Sequence, residues 1–211
     1  MNAFSREADD ALSAPAVPLQ IDGQQVLARP GQTLWELAKE LGIAVPHLCH
    51  REGQAPEGNC RACVVEVQGE RTLAASCCRV ATPGLVVQTA SPRAQSAQRL
   101  VLELLLTDAP AAQHKADNEL QAWAHKLGVA GSRFTPSPAA ERPKSDTSHP
   151  AIAVNLDACI QCTRCVRACR DEQVNEVIAL AHRGAAAQIV FDMGDALGNS
   201  SCVGVRPRAW A

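Results

Sequence analysis

The stretch "GIAVPHLCHREGQAPEGNCRACVVEVQGERTLAASCC", residues 42–78, sets cysteines at 49, 60, 63 and 77, separated by ten, two and thirteen residues. Two irons bridged by sulfide need four terminal thiolates, two on each iron. A loop offering three cysteines, with a fourth from a separate strand, can wrap such a rhomb while a sheet holds the loop still. Gly53, Gly58 and Asn59 lie between the first two cysteines, where backbone must approach a cluster and donate N–H groups to sulfur. The spacing marks Cys49, Cys60, Cys63 and Cys77 as ligands of a 2Fe–2S cluster. The same four thiolates would also suit a structural zinc ion. Zinc sites more often pair two CxxC knuckles, and here only Cys60 and Cys63 form one. Cys78 adjoins Cys77, and on a strand the two side chains would point to opposite faces, so only one would face the cluster. His47 and His50 flank Cys49 and read as loop residues.

Outward from this stretch the chain reads as a β-rich unit with one helix, over residues 18–92. Leu19 and Ile21 alternate into Asp22-Gly23, and Val26 and Ala28 alternate out, a strong hairpin signal. Thr33 to Glu36 form a capping box that opens a helix with Leu34, Leu37, Ala38 and Leu41 on one face. Gly42 closes it. Val64 to Val67, Thr72 to Ala74 and Leu85 to Thr89 read as strands. The expected fold is α+β, a β-grasp ferredoxin-like domain. Residues 1–17 read as a disordered extension and residues 93–130 as a helical connector. In that connector Leu100, Val101, Leu104 and Leu105 share one face, and Leu120, Trp123 and Leu127 another. Residues 131–149, with their Pro, Ser, Thr and charged side chains, read as a linker.

Composition narrows the function classes. Only 3% of residues are aromatic and none is Tyr, so stacking platforms for nucleic acid are not expected. A net charge of −2 with both signs interspersed argues against a nucleic-acid or membrane surface. The longest apolar run, Leu100 to Leu106, is broken by Glu103 and is too short to span a bilayer. The first 17 residues carry Glu7, Asp9 and Asp10 and no apolar core of a secretory signal. Ten cysteines without an export signal point to a reducing, cytoplasmic setting and to metal ligation.

The remaining cysteines are mostly in one run. Cys159, Cys162, Cys165 and Cys169 follow the CxxCxxCxxxC spacing of bacterial ferredoxins. Three closely spaced thiolates cap three corners of a cubane, and the fourth turns into the following helix to serve another cluster. Residues 150–211 therefore read as a partial 4Fe–4S ferredoxin-like domain. Arg170 stands where Pro is usual after the fourth cysteine. Arg164, Arg167 and Arg170 surround the run, either offsetting an anionic cluster or lying as solvated helix charges.

The first stretch resembles the 2Fe–2S domain at the N-terminus of several NAD-linked complexes. These are the large iron–sulfur subunit of respiratory complex I, the diaphorase small subunit of NAD-reducing hydrogenases, and the alpha subunit of NAD-dependent formate dehydrogenase. In that family the fourth ligand carries over to Cys77. The resemblance spans about residues 18–204. One departure is specific. Complex I and the diaphorase place a His-Pro pair and three further cysteines after the first domain, to hold a 4Fe–4S cluster. Here the matching stretch is "LLLTDAPAAQHKADNELQAWAHKLG", residues 104–128, with Ala109-Pro110 in place of His-Pro and no cysteine between Cys78 and Cys159. The departure tilts the resemblance toward formate dehydrogenase alpha subunits, which "HPAIAVNLDACIQCTRCVRACRDEQVNEVIALAHRG", residues 149–184, also resembles.

The resemblance implies an electron conduit between a molybdenum- or tungsten-binding catalytic domain and a flavin- and NAD-binding diaphorase subunit. It also implies a second cysteine run beginning at Cys202. The later ligand positions there are Val205 and Arg208, so Cys169 and Cys202 are the remnant of a second cubane. Cys159, Cys162 and Cys165 would hold the first, its fourth ligand missing or rearranged. The expectation is a fragment of a longer protein. No general base, nucleophile, Gly-rich nucleotide loop or molybdopterin site is recognisable. Three rivals remain: a hydrogenase- or complex I-type diaphorase module, a zinc-binding interaction protein, and the product of a broken gene.

Overall fold

A computed structural model describes residues 15–110, 117–136 and 145–202. The positions 205 and 208 weighed above, and most of the N-terminal extension, lie outside those residues. The chain divides into two compact units: residues 1–47 with 61–98, and residues 48–60 with 99–211.

The first unit is built on a five-stranded mixed sheet. Strands β1 (Val17–Ile21) and β2 (Gln24–Ala28) pair antiparallel, with Leu19 opposite Val26. Asp22 and Gly23 both adopt positive φ, as a tight two-residue hairpin turn requires. Helix α1 (Leu34–Glu40) follows; Thr33 and Glu36 form the reciprocal capping box, and Gly42 takes a φ of 74° just past its end. Strands β3 (Val64–Val67), β4 (Ala74–Ala75) and β5 (Val86–Gln88) complete the sheet in the order β2-β1-β5-β3-β4. β1 and β5 run parallel, an arrangement that needs a crossover, and the intervening chain with α1 supplies it. Leu19, Ile21, Leu34, Trp35, Leu37, Val65, Val67 and Val87 form the core, and Cys63 and Cys77 belong to the same cluster.

The expected helix face needs one correction. Leu41 is the C-cap residue and is exposed, whereas Trp35 is buried and meets the His47 ring edge-on at 4.6 Å. The helix ends before Leu41 can turn inward. The strands expected at Thr72–Ala74 and Leu85–Thr89 form over the shorter spans of β4 and β5.

Helix α2 (Pro92–Thr107) has Pro at its first position, and the Ser91 hydroxyl accepts a hydrogen bond from the Ala94 N–H at 3.1 Å. Its buried positions are Ala94, Gln98 and Leu102, one stripe at four-residue spacing. Leu100 and Leu104 are exposed, contrary to the face expected from the leucine pattern. A polar residue, Gln98, occupies the inward stripe that the apolar count passed over. Its side-chain amide donates to the Val64 carbonyl at 2.9 Å and to the Thr89 carbonyl at 3.2 Å. A Gln98→Leu variant leaves both carbonyls without this donor and is expected to lose about 1–3 kcal/mol of stability, read as a lowered thermal midpoint.

In the second unit, helix α3 (Glu119–Lys126) is capped by Asn118 and buries Leu120 and Ala124. A turn through Leu156–Ala158 leads to the short helix α4 (Arg164–Arg167), continued as a wider π turn over Ala168–Glu172. Strands β6 (Ile178–Ala181) and β7 (Gln188–Phe191) form an antiparallel pair. Val154, Cys169, Val177, Ile178, Ile189, Phe191 and Leu197 make its core, with Cys165 and Cys202 packed against it. Asp146 fastens the lead-in chain: its carboxylate accepts from the Leu197 N–H at 2.7 Å and from Ser148. Those donors hold it below the usual carboxylate range. Among the described residues no helix is long and apolar enough to cross a membrane.

Candidate metal centre

The four cysteines of residues 49–77 form two pairs. In the second unit the Cys49 N–H donates to the Cys60 sulfur and the Cys60 N–H donates to the Cys49 sulfur, both at 3.4 Å. In the first unit the sulfurs of Cys63 and Cys77 lie 3.4 Å apart, with both residues buried. Two thiolates on one tetrahedral metal with bonds near 2.3 Å stand about 3.7 Å apart, so the Cys63–Cys77 pair has the span of two ligands on one iron. Among the described residues, no three or more His, Cys, Asp or Glu side chains converge on a single ion position. A 2Fe–2S rhomb takes a pair of thiolates at each iron. Each pair, taken by itself, offers the two thiolates that one iron takes.

The backbone supports that fit. Arg61, between Cys60 and Cys63, takes a left-handed φ of 57°, and Gly53 and Gly58 are also left-handed. In the loop of residues 48–60 the Cys49 and Cys60 N–H groups already point at sulfur, an arrangement suited to an anionic cluster. Cys77 and Cys78 sit in a turn after β4, not on a strand, so their sulfurs lie 3.6 Å apart and do not point to opposite faces. His47 directs Nδ1 to the Val45 carbonyl at 3.1 Å, while His50 is buried. The Asn59 amide donates to the Gln161 carbonyl at 2.7 Å, so its side chain serves the loop rather than a cluster.

The second run shares the same backbone signature. Gln161 and Thr163, both non-glycine, take left-handed φ values of 55° and 61° between Cys159, Cys162 and Cys165. Each costs roughly 1–2 kcal/mol, which local structure must offset. The Gln161 N–H donates to the Cys159 sulfur at 3.3 Å. Burial, then the neighbouring Cys162 and Cys159 thiols, push the Cys165 thiol up to about 12. Cys159 is raised too, by burial first, although much of the residue faces solvent. These three thiols are thus electrostatic neighbours. Cys169 is fully buried in the core of the second unit, with Cys165 and Cys202 against the same cluster.

Sequence reading missed the clamp on the loop of residues 48–60. Arg167 is fully buried; its guanidinium donates to the Ala55 carbonyl at 2.8 Å and to the Cys49 carbonyl, and lies 3.6 Å from Glu57. Arg164 donates to the His50 carbonyl at 2.9 Å and pairs with Glu119 at 2.7 Å. Gln54 donates to Glu172 at 2.8 Å and Thr163 to Glu57 at 2.7 Å. Arg170 alone of the three arginines is substantially exposed. The one available signal was a loop with several polar side chains and no apolar residue after Leu48 except Ala55 and Pro56.

Residues 14–92 match the family of the 2Fe–2S iron–sulfur cluster binding domain. The mitochondrial NADH-ubiquinone oxidoreductase 78 kDa subunit of Neurospora crassa is 34% identical over 79% of this chain and 24% of its own length. The NADP-reducing hydrogenase subunit HndD of Solidesulfovibrio fructosivorans is 35% identical over 83% of this chain and 32% of its own. The chain therefore spans a third or less of these curated relatives. An NAD+-reducing [NiFe]-hydrogenase in its H2-reduced state superposes with a TM-score of 0.79 at 31% identity, over 88% of this chain and 80% of that one.

Proposed function

We propose, from the premise that this chain belongs through residues 14–92 to the 2Fe–2S iron–sulfur cluster binding domain family, that it is the electron-conducting arm of a formate dehydrogenase alpha-subunit-like oxidoreductase. Its homologues belong to NADH-, NAD+- and NADP-linked oxidoreductases, and it is an iron–sulfur electron-transfer module of that class. The observation that carries the site is the pairing of Cys63 with Cys77 and of Cys49 with Cys60. Those four residues hold a 2Fe–2S cluster, and Cys159, Cys162 and Cys165 hold three corners of a 4Fe–4S cluster. When bound, such clusters accept and pass on single electrons. The protein's own part is to hold the sulfurs in place and aim N–H groups at them, and those donors favour the reduced state. The partners are a flavin- and NAD-binding subunit on one side and a molybdenum or tungsten catalytic domain on the other.

The choice of formate dehydrogenase rests on Ala109-Pro110 and the absence of cysteine between Cys78 and Cys159, which remove the His-Cys cluster of the related branches. The fold match to an NAD+-reducing [NiFe]-hydrogenase favours a second reading, a diaphorase module. Anaerobic purification of the tagged chain from its own cells separates them. The expected eluate contains iron, flavin, and molybdenum or tungsten, and reduces viologen dye with formate. Nickel with hydrogen-dependent dye reduction would establish the second reading instead. A zinc-loaded, colourless chain would sink both.

A further inference from the structure

The second cysteine run does more than carry its own ligands. Residues 48–60 bring Cys49 and Cys60, yet they belong to the same compact unit as α4 and are tied to it. The central tie is Arg167, two residues after Cys165 and two before Cys169, with none of its side chain exposed. Its two terminal nitrogens bridge the carbonyls of Cys49 and Ala55, six residues apart, closing the loop across one planar fork. Burial of a guanidinium is unfavourable unless its charge is answered. The carboxylate facing it, Glu57, stands 3.6 Å away, is about a third exposed, and also faces Arg170 and accepts from Thr163. Asp171 also feels the Arg167 charge, and the shortest contact of the guanidinium is with the Cys49 carbonyl, so the cation stands directly beside that residue.

We infer that Arg167 is a positioning residue for the 2Fe–2S site: it fixes the Cys49 loop and sets a buried positive charge beside that ligand. This rests on the assignment of Cys49 as a cluster ligand. An electron added at the cluster is favoured by a fixed cation held in low dielectric, so the redox poise of the first cluster depends on the fold of the second cysteine run. The carbonyl bridge and the charge are separable contributions. A lysine keeps the charge and loses the fork; a methionine loses both; removing the charge of Glu57 leaves the bridge and takes away one of the carboxylates that answer the cation.

The test uses the full chain with three variants, Arg167→Met, Arg167→Lys and Glu57→Gln. Two readouts are taken: the 2Fe–2S EPR signal at a fixed potential, and hydrogen exchange of residues 48–60 in protein with and without iron. Two unit charges roughly 10 Å apart at an effective dielectric constant near 20 interact strongly enough for about a tenfold change. At the wild-type midpoint, Arg167→Met is expected to lower the ratio of reduced to oxidised cluster about tenfold, whereas Glu57→Gln raises it. Arg167→Lys is expected to leave that ratio within about threefold of wild type while exchange in residues 48–60 speeds about tenfold or more. Unchanged ratios in both Arg167→Met and Glu57→Gln, or shifts of the same sign, overturn the inference. If Arg167→Met does not fold, Glu57→Gln and Arg167→Lys decide it. A wild-type chain without any 2Fe–2S signal would defeat the functional assignment instead. In that case exchange in the iron-free Arg167→Lys protein still decides the clamp, and unaltered protection of residues 48–60 refutes it.

Discussion

A Cys63→Ser chain is expected to lose its 2Fe–2S EPR signal, to less than about a tenth of wild type, and with it two irons and two labile sulfides. Cys63 is buried and its sulfur lies 3.4 Å from that of Cys77, so its place is closed to water and to substitute ligands from solvent. Serine offers a hydroxyl that does not ionise near neutrality and is a poor match for iron that prefers thiolate. Cys63 is a sharper test than Cys77, because the Cys78 sulfur stands 3.6 Å from Cys77 and could take over as ligand. The control is Cys78→Ser, an exposed position expected to retain the full signal. EPR of the dithionite-reduced protein, with iron and acid-labile sulfide on the same sample, reads both variants. Retention of an unchanged signal in Cys63→Ser would refute the ligand set.

Local rules made the first unit legible. Asp22-Gly23 set between alternating apolar residues leaves few conformations other than a tight hairpin, and Thr33 with Glu36 marks a helix start through two mutually satisfied backbone donors. The cysteine spacing pointed to the 2Fe–2S cluster binding domain family that residues 14–92 match. What failed was the choice of face. Leu100 and Leu104 looked like core by count, but α2 turns Ala94, Gln98 and Leu102 inward. That outcome depends on two carbonyls, of Val64 and Thr89, needing a donor, and no periodicity measure registers such a demand.

The clamp on residues 48–60 was illegible for a related reason. Arg164, Arg167 and Arg170 occur at three-residue spacing, and sequence offers no ground for burying one and exposing another. Their fates are set by carbonyls more than one hundred positions away, those of His50, Ala55 and Cys49. A loop that cannot fold into helix or sheet still has to satisfy its backbone, and here long cationic side chains do so. The environment of a side chain is thus unreadable in sequence where distant backbone sets it.

The same distinction governs the second cysteine run, where a Cys165→Ser variant is expected to lose about four irons while keeping the 2Fe–2S signal. Cys165 borders the core that holds Cys169, and burial with two neighbouring thiols pushes it up to about 12. Without iron it therefore stays protonated throughout the neutral range. Iron binding must displace that proton, so loading of this cluster should release protons and proceed more completely as pH rises from neutrality toward 9. Loading at the first pair of sites supplies the internal reference. The wild-type chain is expected to hold about six irons after anaerobic reconstitution and Cys165→Ser about two, read by iron content and by loss of the cubane-type EPR signal. If the wild-type chain holds only two irons at every pH, the left-handed turns at Gln161 and Thr163 are local structure without a cluster, and the second cysteine run serves only to hold the loop of residues 48–60.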